Sequence, residues 1–219
     1  MNERTNSDIS YKDPKDLKII IVGDTFTGKT SIIERFMNNT FSEKNATTIS
    51  PEFQTKVINS NNIFFRINFW DLPGQDRNYS LTRVFCKDSN GIILCCEVNN
   101  ENSRENLTKW NDAIKNIYDI KNIPKIILEN KCDILNDEKH YNDNIEPLRK
   151  ISDELDCINF FRTSALNGYN INESIDYLIN ECIKREEEID IKRYNSFSIK
   201  RPKRPKIKDK EQERKENCC

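Results

Sequence analysis

Gly23-Asp24-Thr25-Phe26-Thr27-Gly28-Lys29-Thr30 decides the reading of this 219-residue chain. The stretch fits the pattern G-x-x-x-x-G-K-[ST], a loop whose backbone N–H groups wrap the phosphates of a nucleotide. In that reading Lys29 reaches the β- and γ-phosphates, and the Thr30 hydroxyl binds Mg²⁺. The same pattern also fits an ordinary glycine-containing strand-to-helix turn, so the flanks decide. Leu17 to Val22 is an apolar run that reads as a buried strand, and Ser31-Ile32-Ile33-Glu34-Arg35-Phe36-Met37 reads as a helix. The loop therefore stands where a helix N-terminus faces an anion.

Outward from the loop, strands and helices alternate. Asn38 to Ser50 is a polar stretch with the character of a functional loop. Glu52 to Ile58 and Ile63 to Trp70 read as two strands joined through Asn59-Ser60-Asn61-Asn62, a hairpin. Ile92 to Val98 is largely apolar, as in a strand covered on both faces. Leu107, Trp110, Ile114 and Ile117 recur at helical spacing and predict one amphipathic helix over 103–118, with Trp110 in the core. Lys125 to Glu129 is a further strand, Ile145 to Leu155 a helix, Ile158 to Arg162 a last strand, and Ile171 to Ile183 lines one face of a final helix. This order predicts an α/β fold: a six-stranded, mostly parallel sheet with one antiparallel edge strand and helices on both faces. Ligands of such sheets bind outside the carboxyl ends of the strands.

Composition narrows the class. One domain (17–188) between a mobile arm (1–16) and a flexible basic tail (189–219) is the simplest partition. No apolar run is long enough to span a bilayer, and Met1-Asn2-Glu3-Arg4-Thr5 lacks the apolar core of a signal peptide. Asn2 stands where myristoylation requires glycine. None of the eight cysteines forms a C-x-x-C pair and His140 is the only histidine, which argues against zinc. The net charge of −1 hides an acidic body and a tail, Lys192 to Lys215, with eleven Lys/Arg against three Asp/Glu. Such a tail meets something anionic. Its aromatics, Tyr194 and Phe197, precede the main basic run and no folded reader accompanies them, so nucleic acid is not the expected partner.

Three more segments follow strands. In Trp70-Asp71-Leu72-Pro73-Gly74-Gln75, Asp71 can hold Mg²⁺, the Gly74 N–H can donate to a γ-phosphate, and the neutral Gln75 amide can orient an attacking water. In Asn130-Lys131-Cys132-Asp133, the Asp133 carboxylate can accept from guanine N1 and N2, whereas adenine would leave it unpaired. The Lys131 stem can cover the base. Backbone N–H groups of Thr163-Ser164-Ala165-Leu166 could donate to the guanine carbonyl. Each segment alone also reads as a turn or polar loop.

Together, in this order at strand ends, the four segments resemble the Ras superfamily of small GTPases from about Leu17 to Glu188. The resemblance implies that Asp24 to Ser31, Gly74, Asn130, Lys131, Asp133, Ser164, Ala165 and Leu166 contact GTP or GDP. It adds Phe41, packed edge-on against the guanine, and Thr48, which joins Thr30 and Asp71 on Mg²⁺ and senses the γ-phosphate. Lys29 and Gln75 are the catalytic pair. The terminal Cys218-Cys219 looks like the doubly geranylgeranylated end of Rab proteins. Two prenyl chains give lasting anchorage where one does not, and Lys200-Arg201, Lys203-Arg204, Lys206 and Lys208 add attraction to anionic lipid. A Rab resemblance implies a monomer cycling between cytosol and the cytosolic face of an intracellular membrane. Its expected partners are effectors at switches I and II, an exchange factor, a GTPase-activating protein, a GDP-dissociation inhibitor and the prenyl transferase machinery. Gly28 to Phe36, Leu81-Thr82-Arg83-Val84-Phe85 and Leu107-Thr108-Lys109-Trp110 look like the thirty-two/thirty-eight branch, associated with lysosome-related organelles.

The chain departs from that family at Phe26, where Gly or Ala is usual, at Pro73 in place of alanine, at Ser50-Pro51 after Thr48-Ile49, and at Leu166 in place of lysine. Phe26 must find allowed backbone angles and room for its ring, and Pro73 stiffens the approach to Gln75. The expectation is that binding persists while intrinsic hydrolysis is slow. Two alternatives stand beside it: a hydrolysis-impaired scaffold that only binds GTP, and an ATP-dependent small-molecule kinase. The second fails on Asp133 and on the missing arginine-bearing lid.

Overall fold

The apolar run before the loop forms β1 (Lys15–Val22). It takes in Lys15 and Asp16, which the sequence reading left in the N-terminal arm. Its side chains alternate between two cores. Leu17, Ile19 and Ile21 pack with Ile32, Ile33 and Phe36 of α1 (Lys29–Asn38), while Ile20 and Val22 face the opposite side. Period two on a central strand is what lets one sheet bury both faces. A computed structural model describes residues 13–43, 47–75, 80–115, 122–135, 141 and 143–199 of the chain.

The remaining elements are β2 (Glu52–Ser60), β3 (Ile63–Asp71), α2 (Ser80–Phe85), β4 (Gly91–Glu97), α3 (Glu101–Glu105), α4 (Leu107–Lys115), β5 (Lys125–Asn130), α5 (Glu146–Glu154), β6 (Asn159–Arg162) and α6 (Ile171–Ile199). The sheet order is β2-β3-β1-β4-β5-β6, parallel throughout except for the β2–β3 pair. This is the small-GTPase α/β fold. Ile175, Leu178 and Ile179 of α6 join α1 on one face; Leu107, Trp110 and Ile114 of α4 and Leu148 of α5 cover the other. Each such buried side chain contributes about 1.5–3 kcal/mol, so both layers are anchored by ordinary apolar burial.

Several boundaries differ from the sequence reading. The hairpin closes through Asn61 and Asn62 alone, with φ of 52° and 63°, and Asn59 and Ser60 stay paired in β2. Two left-handed residues give a turn whose twist matches the strands, and asparagine tolerates that region. The single helix expected over 103–118 begins earlier, at Glu101, where the Asn100 side chain accepts from the Ser103 N–H at 3.0 Å. It is divided at Asn106 into α3 and α4, although i to i−4 bonds from Asn106 to Asn102 and from Trp110 to Asn106 bridge the division. Residues 116–118 of the expected helix lie outside the described residues. The last helix runs to Ile199, so 189–199, expected as the start of a flexible tail, is helical. The chain divides at Ile183/Lys184 into two compact units; the basic run after 199 and Cys218-Cys219 lie outside the described residues.

Among the described cysteines, Cys86, Cys95, Cys96, Cys132 and Cys182 are buried free thiols and Cys157 is half-buried. Burial pushes the Cys95 thiol up to about 11 and Cys157 up to about 12. Such groups are inert packing residues at neutral pH.

Candidate nucleotide-binding site

At the carboxyl ends of β1, β3, β5 and β6 the chain folds around a cavity of about 380 Å³. Thr25, Phe26, Gly28, Lys29, Thr30 and Ser31 line one end. Asn130, Lys131, Asp133, Ala165 and Leu166 line the other, and Phe41, Thr48 and Gly74 close the sides. Most of the residues expected around a nucleotide are thus brought together. Asp24, Thr27 and Ser164 are not on the cavity wall, and neither are Asp71 and Gln75.

The phosphate loop owes its shape to backbone. Gly28 has φ 90°, and a Cβ there would lie 2.3 Å from Asn130 Nδ2. Only glycine lets the Asn130 amide lie across the loop and donate to the Thr27 carbonyl at 2.9 Å. Thr27 is buried and its hydroxyl donates back to the Asp24 carbonyl, so it shapes the loop rather than the cavity. Lys29 is 6% exposed, and its ammonium donates to the carbonyls of Gly23 and Asp24 at 2.9 and 3.0 Å. Desolvation lowers its pKa, opposed by Cys95, Asp71 and Asp24. Gly74 lies against the loop: a Cβ on it would meet Thr25 N at 2.4 Å and Lys29 Nζ at 2.7 Å.

Phe26 answers the question its sequence position raises. Its backbone takes φ 67°, the left-handed region, and its ring is 69% exposed at the cavity mouth. The loop accommodates the ring by turning it outward and accepting strain of about 1–2 kcal/mol.

Beside Lys29 is a cluster of hard oxygens. Asp71 Oδ2 accepts from Thr30 Oγ1 at 2.5 Å and from Thr48 Oγ1 at 3.5 Å, and the two hydroxyls are 2.9 Å apart. Asp71 is 5% exposed, and burial, ahead of every other influence, raises its pKa. Its second oxygen, Oδ1, has no hydrogen-bond partner among the described residues. A buried, half-satisfied carboxylate beside two hydroxyls is costly unless a cation joins it. All-oxygen donors at this spot suit Mg²⁺.

The base end is built from side-chain cross-links. Asn130 Oδ1 accepts from the Ala165 N–H at 3.1 Å, and the Ser164 hydroxyl donates to Asp133 Oδ1. Backbone bonds from Thr163 N to the Glu129 carbonyl and from Cys132 N to the Thr163 carbonyl zip the two loops together. Lys131, at φ 65°, pairs with Glu97 at 3.2 Å. One expectation changes here. The Ser164 N–H donates to the Tyr169 carbonyl, and the Ala165 N–H is engaged by Asn130. The Ser164 N–H is therefore engaged within the protein, the Ala165 N–H already has a partner in Asn130, and the Ser164 side chain fixes the Asp133 carboxylate.

Supporting residues escaped the sequence reading. From α1, Arg35 donates to the Ala165 and Leu166 carbonyls at 2.8 and 2.7 Å. Beneath the base loops, fully buried Glu129 accepts from Arg162 Nε at 2.7 Å and pairs with Arg104 at 2.8 Å. Both Asp24 carboxylate oxygens are bound, by Asn106 Nδ2 at 2.7 Å and Trp110 Nε1 at 2.8 Å. A signal existed for one pair: Glu129 and Arg162 are opposite charges at adjacent ends of parallel strands.

Known proteins agree with this arrangement. The Ras family model matches residues 18–184. Ras-related protein Rab-32A of Dictyostelium discoideum is 38% identical over 176 residues, covering 77% of this chain and 78% of that protein. Ras-related protein Rab-32 of Homo sapiens is 30% identical over 210 residues, 92% of this chain and 88% of that protein. Ras-related protein Rab7 of Pisum sativum is 31% identical over 175 residues, 78% of this chain and 84% of that protein. The chain belongs to the Ras family, as a Rab-type small GTPase that hydrolyses GTP and is related to the Rab-32 branch.

Proposed function

We propose that the protein is a Mg²⁺-dependent GTP/GDP switch of membrane traffic, anchored by its C-terminus. The observation that carries the reading is a single cavity with Lys29 and Thr30 at one end and Asp133 at the other. A cation, a hydroxyl and a carboxylate on the wall of one cavity suit the phosphates and base of one guanine nucleotide. Asp133 reads the base, Lys131 and Leu166 flank it with their apolar stems, and Phe41 packs against its edge. Lys29 stabilises charge on the β- and γ-phosphates, and Gln75 orients the attacking water through its neutral amide. Thr30, Thr48 and Asp71 hold Mg²⁺, which supplies further positive charge at the phosphates. Thr48 and Gly74 sense the γ-phosphate, so hydrolysis releases the loops that carry them.

Effectors dock on the surface beside those loops. Ile49, Phe53 and Val84 are 88%, 60% and 68% exposed. Phe53 stacks on Trp70 with ring centroids 5.1 Å apart, and Trp70 lies 5.3 Å from Phe85. An exposed Phe53 stacked on the half-buried Trp70, itself beside the half-buried Phe85 and next to a nucleotide-sensing loop, is the composition of a protein-binding hot spot. Among the described residues no helix is long and apolar enough to cross a membrane. Prenylation at Cys218 and Cys219, with the basic run at Lys200 to Lys208, supplies attachment to the cytosolic face of an intracellular membrane. An exchange factor, a GTPase-activating protein, a GDP-dissociation inhibitor and prenyl transferases complete the cycle.

Hydrolysis is slow in this reading. Pro73 is buried ahead of Gly74, Gln75 lies off the cavity wall, and Phe26 crowds the mouth. The same observations favour, as second reading, a GTP-bound scaffold with impaired turnover. Single-turnover hydrolysis separates them: slow but measurable release of phosphate, abolished by Gln75→Leu, supports the switch. No release above the Gln75→Leu background supports the scaffold.

A further inference from the structure

In the sheet, β4 stands between β1, which leads into the phosphate loop, and β5, which leads into the base-reading loop. The chain leaving β4 enters α3 and then α4, and it reaches to both sides. Toward the base, Arg104 pairs with buried Glu129 Oε1 and also donates to the Val98 carbonyl at 3.2 Å. Glu129 immediately precedes Asn130, and its other oxygen takes Arg162, which immediately precedes Thr163. Arg162 in turn donates to the Tyr141 and Asp143 carbonyls. Toward the phosphates, Asn106 and Trp110 occupy both oxygens of Asp24. Trp110 is 2% exposed, its ring in the core with Leu107 and Ile114. The division of the helix at Asn106 is the point from which the two sets of bonds diverge.

A guanine nucleotide is a ligand of fixed length, and the loops that grip its two ends come from strands that are not neighbours. Something must fix their separation. We propose that α3 and α4 form a brace across β4, in which Arg104, Asn106 and Trp110 are positioning residues that hold the base-reading and phosphate loops at nucleotide spacing and thereby slow GDP release. The brace rests on the guanine-nucleotide reading of the cavity. It touches no ligand itself; it acts through Glu129 on one side and Asp24 on the other. The bonds are charge-assisted and partly shielded from water, which stiffens them.

Dissociation of N-methylanthraniloyl-GDP from the full chain tests the brace. Trp110→Phe keeps an aromatic ring in the core and removes the indole N–H together with some buried volume; Arg104→Gln removes the charge on the base side. Each is expected to speed release about tenfold, the scale of one charge-assisted hydrogen bond. Because both act on one spacing, the double variant is expected to be much slower than the hundredfold of independent effects. Asn106→Ala, whose side chain lies outside the core, repeats the phosphate-side test should Trp110→Phe not fold. Release within twofold of the parent for the phosphate-side variant, or rates that multiply in the double variant, would overturn the brace while leaving nucleotide binding intact. A parent that retains no labelled GDP removes both the brace and the reading beneath it.

Discussion

The two ends of the cavity are built in different ways. The phosphate end is backbone: Gly28 admits Asn130, Gly74 lies against Thr25, and Phe26 turns its ring outward to keep the loop's path. The base end is side chain: Asn130, Ser164, Asp133, Arg35 and the buried Arg104–Glu129–Arg162 group cross-link two strand ends. The difference teaches where each end is vulnerable. Backbone recognition fails when a Cβ intrudes, whereas side-chain recognition fails when one partner of a buried pair is removed.

The largest expected effect tests the chemistry of the base end. Asp133→Ala removes the carboxylate proposed to pair with guanine, and the preference for GTP over ATP should fall by roughly 10⁴-fold in competition binding. A preference that survives would move base recognition away from Asp133. Next comes the buried charge group. Arg162→Ala leaves Glu129 with Arg104 alone and should lower stability by about 3–5 kcal/mol in urea unfolding. Replacing Glu129 and Arg162 together by leucine should recover part of that loss, since it removes two buried charges with their desolvation cost but leaves the more exposed Arg104 without its partner and the Tyr141 and Asp143 carbonyls without their donor. If the double variant stays as unstable as the single, packing rather than charge holds the base loops.

At the phosphate end the expected effect is smaller and opposite in sign. Phe26→Gly relieves a left-handed strain of about 1–2 kcal/mol and adds chain entropy costing about 0.5–1 kcal/mol. Stability should rise by about 0.5–1 kcal/mol, with faster single-turnover hydrolysis when combined with Pro73→Ala. No gain in either measurement would show that Phe26 is neither strained nor obstructive. The smallest effect belongs to Arg35→Lys, which keeps the charge but cannot bridge the Ala165 and Leu166 carbonyls with a planar fork. GDP release should quicken by about threefold, a loss of roughly 0.6 kcal/mol at the lower end for one hydrogen bond. A larger change would make Arg35 a principal support of the base end.

The same contrast explains what could be read from the sequence. The phosphate loop is local, so eight consecutive residues suffice to predict it, and Asn130 to Asp133 predict a base-reading segment in the same way. The sheet followed from apolar runs such as Ile92 to Cys96. What escaped was non-local. The helix division at Asn106 left no mark because the helical spacing of Leu107, Trp110 and Ile114 lies wholly after it, and the backbone bonds continue across. Trp110 was read correctly as core, yet its N–H also serves Asp24, a second role that spacing cannot disclose. Glu129 and Arg162 close two predicted strands, but their pairing depends on those strands being neighbours in the sheet, which the order of elements along the chain does not state. The motifs are read through their backbone N–H groups and so do not disclose where the Asp24 and Ser164 side chains go: Asp24 is bonded by Asn106 and Trp110, and Ser164 donates to Asp133.

If one cavity holds a guanine nucleotide by both ends, the nucleotide should survive purification. Protein purified from its native cell without added nucleotide, denatured and examined by mass spectrometry, should carry close to one GDP or GTP per chain, with the bound guanine nucleotide greatly diminished in Asp133→Ala. An adenine nucleotide in its place, or no nucleotide at all, would contradict that two-ended grip.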